Sequence, residues 1–305
     1  MTKKRIFLFA ASAFCLFMLV CAVVFPRETA QSVKNSLLLC SRSIVPSLFV
    51  FSALAALFAR LGIFSRAGKA ARAAGISPAV FSVALCGIFC GFPTSAVVAA
   101  EMYRKGEADA DEMRAVLPFC SNAGMAFVVG AVGGGMLGST RAGYALFAAQ
   151  SLLSIVFILL FSRGKSHDEI FVSSARESFP RALTASVSAA GAAMINVCAF
   201  IVFFGAAADM ICLVCPALPD FVCALLCSFL EISRGCSEFA AADIPSAVRG
   251  VCVAWSLGFS GISVACQIAD RAGDVSVRLL PYLAKKLVFG LSMAALYAIF
   301  ALFAV

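Results

Sequence analysis

The hydrophobic positions of the chain are gathered into long runs, and most polar positions fall in the short connections between them. Runs of about 20 apolar residues are long enough for a helix to cross the hydrocarbon core of a bilayer. The pattern therefore predicts an all-α polytopic membrane protein. The predicted spans are residues 6–25, 36–61, 115–137, 142–161, 182–212, 250–269 and 279–304.

The first apolar run follows a short basic segment and shares features with both a signal peptide and a membrane helix. It is longer than the apolar region of a usual signal peptide, and no Ala-x-Ala pattern precedes Pro26. We therefore predict an uncleaved N-terminal transmembrane helix within residues 1–27.

Two further apolar stretches, 78–104 and 217–245, are broken near their middles by glycine, proline or charged residues. The breaks leave apolar arms of roughly 10 to 14 residues, which are too short to span a bilayer but suit a helical hairpin that enters and leaves on one side. Each stretch is predicted to form such a re-entrant hairpin. The breaking residues are Gly87, Gly91 and Pro93 in the first stretch, and Glu231, Arg234, Gly235 and Glu238 in the second.

The distribution of lysine and arginine agrees with this topology. With the N-terminus in the cytoplasm, most of the 24 basic residues fall on the cytoplasmic side, including Lys285 and Lys286 near the last span. If residues 78–104 crossed the membrane fully, the basic clusters at 60–72 and 104–114 would lie on opposite sides. The charge bias therefore favours a cytoplasmic N-terminus and two hairpins that turn back.

The same order of elements occurs twice: a long helix, a hairpin, an interrupted helix and a closing helix. The interrupted helices are predicted at 117–130 and 253–267, with Gly124 and Gly261 at matching places. An odd number of crossings in each half would place the second half upside down relative to the first. We therefore predict two inverted repeats, residues 28–165 and 166–305.

Composition excludes several other classes of protein. The chain is 62% hydrophobic and only 13% charged, with a mean hydropathy of +1.01, so a soluble fold would lack the polar groups to cover its surface. The net charge of +8 forms no basic block with interleaved aromatic residues, and no nucleic-acid partner is expected. Most of the 14 cysteines lie in apolar runs, and His167 is the single histidine, so neither a metal site nor a cofactor is expected.

Broken hydrophobic segments at matching places in two inverted halves are typical of the substrate site of a transporter. Arg234 either binds an anionic solute or pairs locally with Glu231 or Glu238, and hydroxyls and amides at the breaks either line a cavity or bond within the fold. The candidate substrate-binding residues are Thr94, Ser95, Ser121, Asn122, Glu231, Ser233, Arg234, Ser260 and Gln267. The predicted structural breaks are Gly91, Pro93, Gly124, Gly235 and Gly261.

Four motifs in order give the chain a family resemblance over about residues 30–305. They are Cys-Gly-Phe-Pro-Thr-Ser (90–95), Glu-Met-Tyr-Arg-Lys-Gly (101–106), Cys-Ser-Asn-Ala-Gly-Met-Ala-Phe-Val-Val-Gly (120–130) and Leu-Glu-Ile-Ser-Arg-Gly (230–235). This pattern resembles the YlbJ-type sporulation integral membrane proteins of the nucleoside-recognition Gate group. The resemblance implies a core like that of concentrative nucleoside transporters and a role in moving dipicolinic acid across the cytoplasmic or forespore membrane of a spore-forming bacterium.

The expected function is thus alternating-access transport of a small anionic solute, with the lipid bilayer as the main partner. A nucleoside-like solute is an alternative cargo, and it would give more weight to Asn122, Ser95 and Gln267. A membrane assembly factor that does not transport is a second class, and an intramembrane enzyme using Glu231 and Glu238 is a third and weakest one; no catalytic residue is assigned. The coupling ion and a homo-oligomeric state are left open.

Overall fold

The computed structural model describes residues 3–61, 71, 75–162 and 178–304, and this part of the chain is almost entirely helical. Five helical stretches within it are long and apolar enough to cross a membrane. The prediction of an all-α membrane protein is confirmed at this level. The five stretches are Pro26–Phe58, Thr140–Phe161, Phe179–Val214, Ser246–Arg271 and Leu279–Leu302. His167 and the predicted boundary between the two halves lie outside the described residues.

In the first half, the helices are α1 (Lys3–Val24), α2 (Pro26–Leu39), α3 (Val45–Arg60), α4 (Pro78–Cys90), α5 (Thr94–Arg104), α6 (Ala110–Cys120) and α7 (Thr140–Phe161). π-Helical turns join α2 to α3 over Cys40–Ile44 and precede α7 over Ala126–Met136. In the second half, the helices are α8 (Phe179–Val214), α9 (Asp220–Leu230), α10 (Ile232–Ala241), α11 (Ser246–Phe259), α12 (Gly261–Arg271) and α13 (Leu279–Ala304).

Several helices begin where the local sequence supplies a cap. The Ser77 hydroxyl accepts a hydrogen bond from the Val80 amide at 3.2 Å, and Pro78 occupies the first turn of α4. The Asp109 carboxylate accepts from the Glu112 amide at 3.2 Å in the same way and starts α6. These caps satisfy amides that have no partner inside the helix.

The predicted span 36–61 begins earlier than its hydropathy suggests. Helix runs without interruption from Pro26 because the polar segment of α2 still has a regular helical backbone, with Pro26 at its first position. The π-helical turns at Cys40–Ile44 come just before Pro46, whose ring nitrogen cannot donate to the preceding turn. The span therefore reaches further into polar sequence than an apolar window can detect.

Two pairs of short helices occupy the places of the two predicted hairpins. Helices α4 and α5 contain 13 and 11 residues and are joined by residues 91–93; α9 and α10 contain 11 and 10 residues and are joined by Glu231 alone. The two members of each pair pack on each other. At 1.5 Å per residue, each helix is only about 15 to 20 Å long, which is shorter than a bilayer core.

Both predicted interrupted helices are interrupted. The first breaks at residues 121–124, between α6 and the π-helical segment, and the second breaks at Ser260, which adopts a left-handed conformation between α11 and α12. The inverted relation of the halves, the re-entry of the short helix pairs and the cytoplasmic N-terminus stay predictions.

Candidate functional site

The turn of the first short helix pair lies directly against the break of the first interrupted helix. The Phe92 amide donates a hydrogen bond to the Asn122 carbonyl at 2.9 Å. Gly91 has a φ of +77°, and a Cβ atom added to it would lie 2.5 Å from the amide nitrogen of Gly124. Glycine is required at Gly91 both for this backbone conformation and for the close approach of the two chain segments.

The second half repeats this arrangement. Gly261 has a φ of +82°, and a Cβ atom added to it would lie 3.1 Å from the Leu230 carbonyl oxygen and 3.2 Å from the Glu231 nitrogen. The turn of the second helix pair therefore packs on the break of the second interrupted helix. The predicted breaks Gly91, Gly124 and Gly261 all lie at these two junctions.

A small cavity lies where the two junctions face each other. Its polar wall is formed by Glu231, Ser233 and Gln267 from the second half and by the backbone at Ala123 and Gly124 from the first. Side chains such as Phe92, Phe127 and Val264 make the rest of the wall apolar. The free volume is about 20 Å³, which is room for about one water molecule. The cavity is thus too small in this structure for a solute larger than water.

The polar groups of the second half are buried and mostly partnered. Glu231 is 1% exposed, and its carboxylate accepts a hydrogen bond from the Arg234 amide at 2.7 Å, which caps α10. The Gln267 side-chain nitrogen donates to the Ser263 hydroxyl at 3.3 Å, whereas its oxygen has no partner among the described residues. This unpartnered oxygen is free to accept a hydrogen bond from a molecule in the cavity.

The polar groups at the first break form a buried network. The Asn122 side-chain nitrogen donates to the Phe119 carbonyl at 2.7 Å and to the Ser154 hydroxyl at 2.6 Å. The hydroxyl oxygens of Ser95 and Ser121 lie 2.9 Å apart, joining α5 to the end of α6. Asn122, Ser95 and Ser121 stand beside the cavity rather than in its wall, so the structure places them at the junction.

Arg234 lies away from the cavity wall. Its guanidinium contacts one oxygen of Asp209 at 2.8 and 3.1 Å and the carboxylate of Glu238 at 3.2 Å. Of the two interpretations of Arg234, local pairing describes its contacts here. The other oxygen of Asp209 accepts from the Ser32 hydroxyl at 2.5 Å, so this cluster joins α10 to α8 and α2.

Four other predicted residues also stand apart from the cavity. Thr94 and Pro93 line a separate groove of about 90 Å³ beside Arg60 and Glu101. The Ser260 hydroxyl donates to the Leu257 carbonyl at 2.9 Å. Gly235 allows close packing, because a Cβ atom on it would lie 2.4 Å from the Cα atom of Ser228.

Sequence reasoning missed Asp209 and did not identify the burial of Lys286. Asp209 is a single carboxylate in the long apolar helix α8, and a charge at such a position is the signal that could have identified it. The charge count assigns Lys286 to the cytoplasmic side, but its side chain is fully buried in α13 against the first break. The count could not detect this burial because it uses position along the chain, whereas burial depends on which face of the helix meets a neighbour.

No protein-family model, curated protein or solved structure matches the chain. What the site can do is therefore argued from its geometry.

Proposed function

We propose that the chain is a membrane transporter that moves a small polar solute by alternating access. The observation that carries the proposal is that three of the four interruptions, and the first turn of the helix that follows the fourth, meet at one cavity. Two are turns between short helices, at Phe92 and Glu231, and two are breaks, represented by Gly124 and Val264, the latter one turn beyond Gly261. Non-helical backbone at membrane depth is tolerated where it is buried in protein or lines a cavity, and transporters use such backbone to bind their cargo.

The proposal includes the topology on which alternating access depends. The short helix pairs re-enter the membrane from opposite sides, and the two halves are inverted repeats with a core like that of concentrative nucleoside transporters. The repeated packing of a turn on a break, Gly91 on Gly124 and Gly261 on Leu230, supports this arrangement. A scaffold that only bound partner helices would have no need for a polar cavity at the meeting point.

The resemblance to the YlbJ-type sporulation proteins makes dipicolinate the first substrate to test. It extends the proposal to a cytoplasmic or forespore membrane with the N-terminus in the cytoplasm. The cavity has room for about one water molecule. A solute as large as dipicolinate could therefore bind there only if the two junctions separated. Opening toward one side and then the other is the motion that alternating access needs.

A neutral, nucleoside-like solute is the second candidate, and the chemistry of the cavity wall favours it. The charged side chain in that wall is a carboxylate, Glu231, and Gln267 adds a free amide oxygen. Both groups accept hydrogen bonds, as hydroxyl and amino groups of a sugar or base would require. Arg234, the sequence-based anion partner, is occupied by Asp209 and Glu238.

Uptake by purified protein in liposomes tests the proposed function. Labelled dipicolinate and labelled uridine are supplied in parallel to loaded vesicles, with empty liposomes as the background. We expect one of them to accumulate above background and to be displaced by the unlabelled compound. If neither enters under any imposed ion gradient, transport of these two solute classes is wrong and the assembly-factor alternative takes its place.

Glu231→Gln is expected to change transport without changing stability. A glutamine oxygen can still accept from the Arg234 amide, so the cap of α10 is retained, whereas alanine would lose it at about 1 kcal/mol. We take Glu231 to be ionised when the cavity opens to water. Uridine uptake should then fall about tenfold or more, because a hydrogen bond to a charged acceptor contributes about 1.5 to 3 kcal/mol. Dipicolinate uptake should instead rise, because a negative charge facing its carboxylates is removed.

Initial uptake rates and the thermal melting midpoint in detergent measure these effects. Asp243→Asn is the matched control, since Asp243 is an exposed carboxylate in the connection after α10. If Glu231→Gln and Asp243→Asn had the same uptake of both solutes, Glu231 would not belong to the substrate site.

A further inference from the structure

Helix α13 carries two adjacent lysines with different surroundings. Lys285 is partly exposed, and its ammonium donates to the carbonyls of Arg114 and Ala115 at the surface of α6. Lys286 is 0% exposed and points into the protein. An ammonium group at this depth is costly, and such groups in membrane segments are associated with ion pathways or substrate sites.

The partners of Lys286 are neutral oxygens at the end of a broken helix. Its ammonium donates to the Ser121 carbonyl at 3.1 Å and approaches the Asn122 side-chain oxygen at 3.5 Å. It also lies 5.0 Å from the centre of the Phe289 ring. Among the described residues, no carboxylate lies within the 4.0 Å of an ion pair with it. Lys286 is therefore neutralised by dipoles rather than by a counter-charge.

The place that the ammonium occupies is one where transporters bind coupling cations. Helix α6 ends at Cys120, so its carbonyl end and the unwound residues after it carry partial negative charge. Unwound carbonyls and the C-terminal ends of half-helices coordinate Na⁺ or H⁺ in transporters with broken helices. Here the carbonyl of Ser121 and the amide oxygen of Asn122 already surround a positive charge of the chain itself.

We propose that the Lys286 ammonium occupies the place of a coupling Na⁺ at the first helix break. The ion that couples to transport is then the proton on the Lys286 amine. The inference rests on the proposed transport function. In each cycle Lys286 releases one proton to water on one side and regains one from the other. The neutral amine can still donate to Ser121, but it lacks the charge that holds the carbonyl end of α6.

One residue of α13 is a candidate for the route of this proton. Tyr282 lies one turn before Lys286 on α13; it is 3% exposed, and its hydroxyl has no partner among the described residues. Tyr282 also lines an open pocket of about 390 Å³ together with Arg114, Arg278 and Lys285. We therefore place the Tyr282 phenol on the path of the proton between that pocket and Lys286.

The other ionisable groups around Lys286 do not provide a competing partner. Cys120, at the end of α6, is one of them, and no hydrogen bond or ion pair joins it to Lys286. No hydrogen bond or ion pair joins Lys286 to the remaining ionisable groups of the helices described as packing on α13. These groups are Asp111, Glu112 and Arg114 in α6, Arg141 and Tyr144 in α7, Arg249 and Cys252 in α11, and Cys266, Asp270 and Arg271 in α12.

Thermal melting of the full chain in detergent tests the inference independently of any substrate. Melting is measured in three chloride salts at the same concentration, which differ only in their cation: N-methylglucamine, Na⁺ or methylammonium. The melting midpoint of the wild type is expected to be the same in all three. Lys286→Ala should melt lower and should regain about 2 to 4 °C in methylammonium or Na⁺, which can enter the vacated oxygen site. Lys285→Ala is the matched control and should show no cation response.

Uptake in liposomes gives the second arm. An inward proton gradient should stimulate wild-type uptake of dipicolinate or uridine, and a Na⁺ gradient should not. Lys286→Gln should lose the proton stimulation. Absence of uptake of both solutes would count against the proposed function, whereas the melting arm would still decide the role of Lys286. Three results would overturn the inference: stabilisation of the wild type by Na⁺, uptake driven by a Na⁺ gradient, or proton-stimulated uptake by Lys286→Gln. The first two are measured on the wild type and do not depend on the folding of a variant.

Discussion

Gly87→Ala is expected to disrupt the packing of α4 on α6 and to cause one of the two largest losses of stability considered for this protein. A Cβ atom added to Gly87 would lie 1.6 Å from the Cys120 carbonyl oxygen and 2.7 Å from its carbonyl carbon. Both contacts are with backbone, so no side-chain rotation can relieve them. Overpacking in a close-packed interior lowers the free energy of unfolding by about 1 to 3 kcal/mol and occasionally more. Because this clash is with backbone, we expect a loss of about 3 kcal/mol or above.

The effect should extend to the proposed site. Cys120 is the last residue of α6, directly before the break at residues 121–124, so displacement of this carbonyl would also move Ser121 and Asn122. We expect Gly87→Ala to melt at a lower temperature and to lose uptake at temperatures where the wild type is active.

The matched control for Gly87 is Gly191→Ala in α8. A Cβ atom on Gly191 meets nothing within 4 Å, and alanine in a helix interior is favoured over glycine by about 0.5 to 1 kcal/mol. Gly191→Ala should therefore melt at the same temperature as the wild type or slightly higher. Equal melting midpoints for the two variants would show that α4 and α6 do not approach each other as closely as the structure has them.

Arg234→Ala and Asp209→Ala are expected to destabilise the protein by similar amounts. Each change breaks the ion pair between helices α10 and α8, although Arg234 keeps its contact with Glu238 when Asp209 is removed. Breaking a fully buried ion pair costs about 3 to 5 kcal/mol, and the side chains of Arg234 and Asp209 are 29% and 19% exposed. Partial solvent screening reduces the expected loss to about 1 to 3 kcal/mol.

A double-mutant cycle isolates the interaction. The double variant should lose little more stability than either single variant, because the first change already breaks the ion pair that the second change would break. Lys105→Ala is the comparison for a solvent-exposed pair: Lys105 and Glu101 are 42% and 35% exposed, and their pairing contributes at most about 1 kcal/mol.

The same variants decide between the two interpretations of Arg234. If Arg234 ties the second helix pair to α8, Arg234→Ala and Asp209→Ala should change melting and uptake together. If Arg234→Ala melted like the wild type but lost dipicolinate uptake, Arg234 would be the anion partner that the sequence suggested.

The broken segments were predictable because their breakers are explicit in the sequence. Gly91 and Pro93 interrupt one apolar run, and Glu231 interrupts another; the structure ends helices at both places. Gly261 likewise follows the break at Ser260. Glycine supplies the conformation, whereas the charge at Glu231 is stabilised by capping the next helix.

The partners of the polar residues were not predictable in the same way. Asp209 meets Arg234 across 25 positions of sequence, and Lys286 meets Ser121 across 165. Nothing in the local pattern around Lys286 distinguishes it from Lys285, yet Lys286 is buried and Lys285 is partly exposed. The difference arises from the rotation of α13 against α6, which is a property of helix packing.

The sequence by itself determined the all-helical membrane class and the positions of the interruptions. Lipid offers no hydrogen-bonding partner, so an apolar run must satisfy its backbone within a helix, and a breaker must end that helix wherever the neighbours lie. Only the tertiary structure decided that Glu231, Ser233 and Gln267 share a cavity with Gly124, that Arg234 is held by Asp209 and that Lys286 reaches the first break. Those contacts depend on close fits between backbones, such as Gly91 against Gly124, which hydropathy does not record.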